Sequence, residues 1–207
     1  QGAGREKQLQ VYGPTHTEAI TEPLIGEQGA FAHDWRARVN SAGSQRVFVN
    51  RGGTLPRRPP SVQVKDVGPG LVHQGTDWRV TAATAEHTQP WLDSLAYRLD
   101  TAEGSVVVTG DTRPCRTVLD LARGADVMLC MCWDDQEVMN RTGEADGQCG
   151  TTGAAQLAQD AGVKKLVLVH MGPHISTHGP LEKGLGDVAA VYAGEVVFAE
   201  ELMSFAL

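Results

Sequence analysis

Three apolar runs in this sequence end in a residue able to bind a metal ion. "VTAATAEH" ends at His87, "SVVVTGD" at Asp111 and "KKLVLVH" at His170. Imidazole nitrogens and carboxylate oxygens are the donors that Zn²⁺ and related cations take. An aspartate has two oxygens and can hold two ions at once. Each tip also has a plain reading, since Gly-Asp is ordinary turn chemistry and a histidine at a strand end commonly serves the structure. Three such tips in one small chain point instead to a shared metal site. The four cysteines do not extend it. Cys130 and Cys132 in "CMC" stand closer than the paired thiolates of zinc sites and share one face of a strand, which suits burial as small hydrophobes. With Cys115 and Cys149 they give no disulfide framework.

The elements that must position these residues follow from pattern. "LQVYG" reads as a short strand, and "TEAITEPLIG" as a helix from about Thr17. "FAHDWRARV" has helical spacing, and "RGGTLPRRPP" is a loop rich in helix and strand breakers. "VQVKDV", "WRVTAATAEH" and "LAYRLDT" alternate as antiparallel strands do. From Ser105 the pattern becomes strand, loop, helix. "SVVVTG" precedes a helix from about Pro114 to Arg123, and "ADVMLCMC" is a buried strand. "TTGAAQLAQDAG" is a helix with Thr151 or Thr152 at its N-cap and Gly162 at its C-cap. "KKLVLVH" is a further buried strand, and "EVVFAEELMSFAL" is expected to close the chain as a strand pair.

With 207 residues the chain can bury one sizeable core, or at most two small ones. Its 41% hydrophobic and 21% charged content is that of a globular protein. No apolar run is long enough to cross a bilayer and no leader segment opens the chain, so a cytoplasmic location without membrane partners is expected. The formal charge of −7 argues against a nucleic-acid partner. Because the first residue is Gln1 rather than Met, a processed or truncated product is expected.

The segments "AEHTQPWLDSLAYRLD", "SVVVTGDTRP", "GADVML", "AAQLAQDAGVKKLVLVHMGP" and "EVVFAEELMSFAL" resemble the metallo-β-lactamase superfamily. The nearest branch holds arylsulfatases and transfer-RNA 3′-processing nucleases, whose Val-Tyr-Gly-Pro strand and turn "LQVYGPTHT" is similar to. The resemblance runs from about residue 9 to the end and is weakest between 26 and 76. It implies an α/β (layered α+β) fold, the later part of an αββα sandwich, forming one domain over residues 1–207 that is incomplete at its N-terminus. It implies two divalent metal ions, of zinc type. His87 would complete the first metal site, Asp111 would bridge both ions at the catalytic centre, and His170 would close the second. Trp91 and His174 follow the ligands and are candidate substrate-binding residues. A buried core aromatic and a plain loop histidine are their alternative readings.

Two departures from the family pattern matter. The signature His-x-His-x-Asp-His is absent from these residues. Where the processing nucleases carry His-Glu after the Gly-Ala-Asp strand, this chain has Cys130 and Met131, and in place of His-Ser-Thr it has Gln148, Cys149 and Gly150. The resulting expectation is a hydrolase of a small ester, arylsulfatase- or phosphodiesterase-like, using water activated by two cations. A small-molecule substrate is expected and nucleic acid is not. The alternatives are a lactone or β-lactam hydrolase, or a non-catalytic half-fold serving as a scaffold, with a second copy or a missing N-terminal segment covering its open sheet.

Overall fold

The computed structural model describes residues 8–205, which divide into two compact units at Val67/Gly68. The first contains β1 (Leu9–Gly13), α1 (Thr17–Ile25), α2 (Ala32–Asn40), α3 (Ala42–Asn50) and β2 (Val62–Asp66). β1 and β2 pair in parallel, from Leu9 opposite Val62 to Gly13 opposite Asp66. The Asp66 carboxylate accepts from the backbone N–H groups of His16 (3.0 Å) and Glu18 (2.8 Å). It thereby satisfies donors that a helix start leaves open. Glu18 returns the bond to the Asp66 N–H at 3.1 Å. The strand end and helix start therefore lock one another. Ala32 and Phe48 are buried in this unit, and the Arg57 guanidinium lies 5.1 Å from the Phe48 ring centre while donating to the Arg38 carbonyl.

The second unit is a seven-stranded mixed sheet in the order β3-β4-β5-β6-β7-β8-β9. Its strands are β3 (Gly70–Gln74), β4 (Trp78–Ala85), β5 (Ser94–Thr101), β6 (Ser105–Val108), β7 (Val127–Met131), β8 (Lys165–Val169) and β9 (Glu195–Phe198). The helices are α4 (Arg116–Ala122), α5 (Gln136–Thr142), α6 (Thr151–Ala161) and α7 (Pro180–Val191), with a 3₁₀ turn at Glu144–Asp146. β3 to β6 form an antiparallel meander and β6 to β9 are parallel. β7 and β8 are nearly continuous apolar runs, as parallel strands covered on their faces require.

One side chain in two along β4 to β8 enters the main core. Ala85, Ala96, Val107, Met128, Cys130, Leu166 and Leu168 pack with Val118 and Ala122 of α4, Ala154, Ala155 and Ala158 of α6, and Val188 of α7. The alanines let these helices lie close to the sheet. On the opposite face Trp78, Val80, Tyr97, Leu99, Val106 and Val108 line a shallow apolar depression of about 710 Å³. Arg98 terminates α4 by donating to the carbonyls of Leu121 and Arg123, both at 2.9 Å, at the helix end where a cation is favoured.

The mixed α/β architecture with sheets flanked by helices agrees with the expectation. Several local readings do not. "VQVKD" pairs in parallel with β1 rather than joining an antiparallel set. Among its described residues the last segment supplies β9 and no second strand, because Glu200 and Glu201 break the apolar run and the chain turns there; Ala206 and Leu207 lie outside the described residues. Gly150, not a threonine, caps α6. Thr151 is fully buried with its hydroxyl accepting from the Gln136 N–H. The helices α3, α5 and α7 and the strand β3 were not anticipated. Cys130, Cys132 and Cys149 are buried and unpaired as expected, and Cys115 is partly buried. Among the described residues no helix is long and apolar enough to cross a membrane.

Candidate metal centre

β4 and β6 both run antiparallel to β5, and β6, β7 and β8 run parallel. The carboxyl ends of β4, β6, β7 and β8 therefore lie at one end of the sheet. His87 comes two residues after β4, Asp111 three residues after β6, and His170 directly after β8. Topology alone thus brings these side chains to one edge.

Hydrogen bonds then fix their turns. The Thr112 hydroxyl accepts from the Glu86 N–H at 3.0 Å, the Arg113 N–H donates to the Glu86 carbonyl at 2.8 Å, and the Arg113 guanidinium meets the Glu86 carboxylate at 2.6 Å. Thr109 and Thr112 flank Asp111 closely and are fully buried. The Thr109 hydroxyl accepts from the Met131 N–H at 3.3 Å, and Gly110 turns the chain at φ 60°. The turns bearing His87 and Asp111 are thus stitched together and to the end of β7. At β8, His170 itself adopts φ 56°, a left-handed conformation uncommon for a residue with a Cβ. Its ring meets that of Trp133 edge-on, with centroids 5.6 Å apart.

The two histidines approach opposite oxygens of one carboxylate. His87 Nε2 lies 4.0 Å from Asp111 Oδ2, and His170 Nε2 lies 3.4 Å from Asp111 Oδ1. His87 Nδ1 is 2.9 Å from the Gly147 carbonyl. A carbonyl only accepts, so Nδ1 carries a proton, and Nε2 is the ring position left to meet a cation or proton beside Asp111. A histidine whose second nitrogen is held by a carbonyl is also the usual support of a metal ligand. The donor types present therefore fit a divalent cation beside Asp111. Among the described residues, no three His, Cys, Asp or Glu side chains close into a complete cage. Each side has two donors, fewer than the three protein ligands of a catalytic zinc site.

The thiols contribute none. Burial pushes the Cys132 thiol up to about 12, and Cys149 is raised well above the ordinary value by its hydrogen bond to Cys130 and by burial. A metal ligand must be thiolate, so these groups remain packing residues. Trp91 is 91% exposed, on a turn in which its N–H donates to the Thr88 carbonyl at 3.1 Å. It is therefore not a buried core aromatic. His174 is not a free loop histidine either, because its Nδ1 lies 2.7 Å from Asp134 Oδ1. Sequence reasoning missed two participants, Gly147 and Asp134. Neither carries a local signal, since one contributes a backbone oxygen and the other pairs with a residue far along the chain.

A mixed sheet thus carries two histidines and a shared aspartate on its strand ends. The beta-lactamase superfamily domain matches residues 30–171, more than half of the chain and inclusive of all three candidate ligands, and the chain belongs to that family. It is 34% identical over 182 residues to ribonuclease Z of Metallosphaera sedula, covering 81% of this chain and 61% of that protein. The chain thus spans about three-fifths of the length of this curated relative. Among solved structures it resembles the metallo-β-lactamase fold protein YhfI from Bacillus subtilis (TM-score 0.60, 18% identity, 94% of this chain and 63% of that one). It also resembles Zn²⁺-bound PqqB from Methylobacterium extorquens (TM-score 0.58, 13% identity, 99% and 67%). At these identities the likeness is one of fold.

The resemblance to the branch with processing nucleases is borne out. The expectation about partners is corrected. The chain was expected to act on a small-molecule ester, with nucleic acid excluded, whereas its curated relatives are named ribonuclease Z. The physical reason is that −7 is a sum over the whole chain. It does not set the local potential at one edge of the sheet, which depends on the groups gathered there.

Proposed function

We propose that this chain belongs to a metal-dependent phosphodiester hydrolase that cleaves RNA. The observation carrying the reading is the approach of His87 and His170 to opposite oxygens of Asp111, and the relatives named ribonuclease Z supply the substrate class. Two zinc-type cations, when bound, would lower the pKa of a water and polarise the phosphoryl group. The chain's own residues do the rest. Asp111 holds the two sides in register, the Gly147 carbonyl fixes the His87 tautomer, and Trp133 with the left-handed turn fixes the His170 ring. Trp91 offers an exposed indole face on which a base of the RNA stacks. The match over residues 30–171 runs across the boundary between the two units, which supports treating both as parts of one superfamily domain.

The test is cleavage of precursor transfer RNA and of unstructured RNA by the full-length protein loaded with Zn²⁺, with metal content measured in parallel. Cleavage that is abolished by chelation and by Asp111→Ala is expected. Metal-loaded protein that leaves every RNA intact would overturn the reading.

A further inference from the structure

A second polar group sits at the same strand ends. We propose that His174 and Asp134 form a proton-donating pair, in which His174 protonates the oxygen leaving phosphorus and Asp134 positions its ring. The inference rests on the phosphodiesterase reading above and adds a residue to that site.

Asp134 lies in the turn after β7, with its side chain only 10% exposed, whereas the His174 side chain is 53% exposed. The carboxylate is firmly placed. Its Oδ1 accepts from the Asp135 N–H at 2.7 Å, and its backbone carbonyl accepts from the Thr151 N–H at 3.1 Å. An ionised carboxylate only accepts, so the 2.7 Å contact puts a proton on His174 Nδ1. Nε2 is left as the one position through which this ring can give or take a proton.

The loop carrying His174 is closed on itself. Ser176 donates to the Gly172 carbonyl at 2.8 Å, and Thr177 donates to the His174 carbonyl through both its N–H (3.1 Å) and its hydroxyl (2.7 Å). The loop is also tied to the candidate metal centre. The Gly172 N–H donates to the Trp133 carbonyl at 2.7 Å, and the Trp133 ring packs against His170. Trp133 and Asp134 are consecutive, so one short segment supports both His170 and His174. The other nearby charges are mutually satisfied. Asp135 pairs with Lys183 at 2.5 Å, Lys183 with Asp187 at 2.7 Å, and His178 with Glu182. Among the described residues, Asp134 is the charged group paired with His174.

In the proposed step, a water oxygen forms a bond to phosphorus and the bond to the departing ribose oxygen breaks with its electron pair. That oxygen takes the Nε2 proton of the His174 imidazolium. The proton released by the water returns the ring to its charged form through solvent, leaving a phosphate monoester and an alcohol. Such proton transfer contributes about 10²–10⁴-fold, but only where the leaving group is a poor one.

The experiment compares RNA, whose leaving group is an alkoxide, with bis(p-nitrophenyl) phosphate, whose phenolate departs without a proton. Both are tested with the full-length zinc-loaded protein. His174→Ala should lower RNA cleavage by about a hundredfold or more, lower aryl diester turnover far less, and be partly rescued on RNA by added imidazole. Asp134→Asn should remove the Nδ1–H signature of His174 from the ¹⁵N NMR spectrum of the resting protein. Equal losses on both substrates, or RNA cleavage unaffected by His174→Ala, would overturn the pair while leaving the phosphodiesterase reading standing. Unsubstituted protein that cleaves neither substrate would overturn that reading and the pair with it.

Discussion

The Nδ1 of His87 donates to the carbonyl of Gly147, 2.9 Å away and 60 residues further along the chain. A Cβ on Gly147 would stand 2.6 Å from the carbonyl oxygen of His87, so no other residue permits this approach without a backbone shift. Gly147→Ala should therefore weaken zinc binding by about 10–100-fold, the usual loss when a ligand's supporting bond is removed. Competition against a chromophoric chelator would measure this. Unchanged affinity would show that the bond is not what orients His87.

At the other side of Asp111, His170 bears the cost of its left-handed backbone, about 1–2 kcal/mol for a residue with a Cβ. Asn adopts this conformation more readily. His170→Asn should raise the stability of the metal-free protein by up to about 1 kcal/mol in urea unfolding while diminishing metal retention. A clear loss of metal-free stability would mean that the contact with Trp133 outweighs the strain.

Asp126 ties the starts of three strands together. It accepts from the Ser105 N–H at 2.7 Å and the Ser105 hydroxyl at 3.0 Å, and it meets Lys164 Nζ at 2.7 Å. The Lys164 ammonium first, and then the Ser105 donors, lower its pKa to about 2. A carboxyl with a depressed folded value stabilises above its unfolded value near 4, and that contribution is lost as pH falls through the folded one. The urea midpoint should drop between about pH 4 and pH 2, and Asp126→Asn should flatten that part of the curve. An identical acid profile in the variant would refute the assignment.

The thiols should divide by burial. With Cys130, Cys132 and Cys149 fully buried and the last two held protonated, a thiol reagent at pH 8 should modify at most Cys115 in the folded protein. All four should react after unfolding. Rapid native modification at Cys149 would contradict this and reopen the cysteines as reactive groups.

Trp91 should matter for RNA and not for folding. A stacked base contributes about 1–3 kcal/mol, so Trp91→Ala should weaken RNA binding by about 5–150-fold. Its exposure predicts an unchanged unfolding midpoint. Filter binding at fixed salt would measure the first and urea unfolding the second. An affinity equal to that of the unsubstituted protein would remove Trp91 from the binding surface.

What the sequence discloses about this site depends on how each residue is held. His87, Asp111 and His170 stand out because a polar residue closing an apolar run is visible locally. Gly147 does not, since "EADGQCG" looks like any turn and its role is to let a distant backbone approach. The His174–Asp134 bond spans forty residues and leaves no spacing signal. α7 was obscured by Gly184 and Gly186, which lower helix propensity. Yet an added Cβ at Gly184 would come within 2.9 Å of Ile175 Cδ1, so packing requires what propensity disfavours. The alternation in "VQVKD" identified a strand, but alternation carries no information about the direction of its partner.

The parallel pairing of β1 with β2 also has a consequence for the order of assembly. β1 leaves the ribosome about fifty residues before β2, its one neighbour among the described residues. Loop closure must precede any gain from that pairing, so α1, α2 and α3 can form first and shorten the span to be closed. The meander from β3 to β6 needs only short-range contacts and can close as soon as it is made. Until β2 arrives, the side of β1 that it will cover stays open on a growing chain, where pairing with a wrong strand can compete.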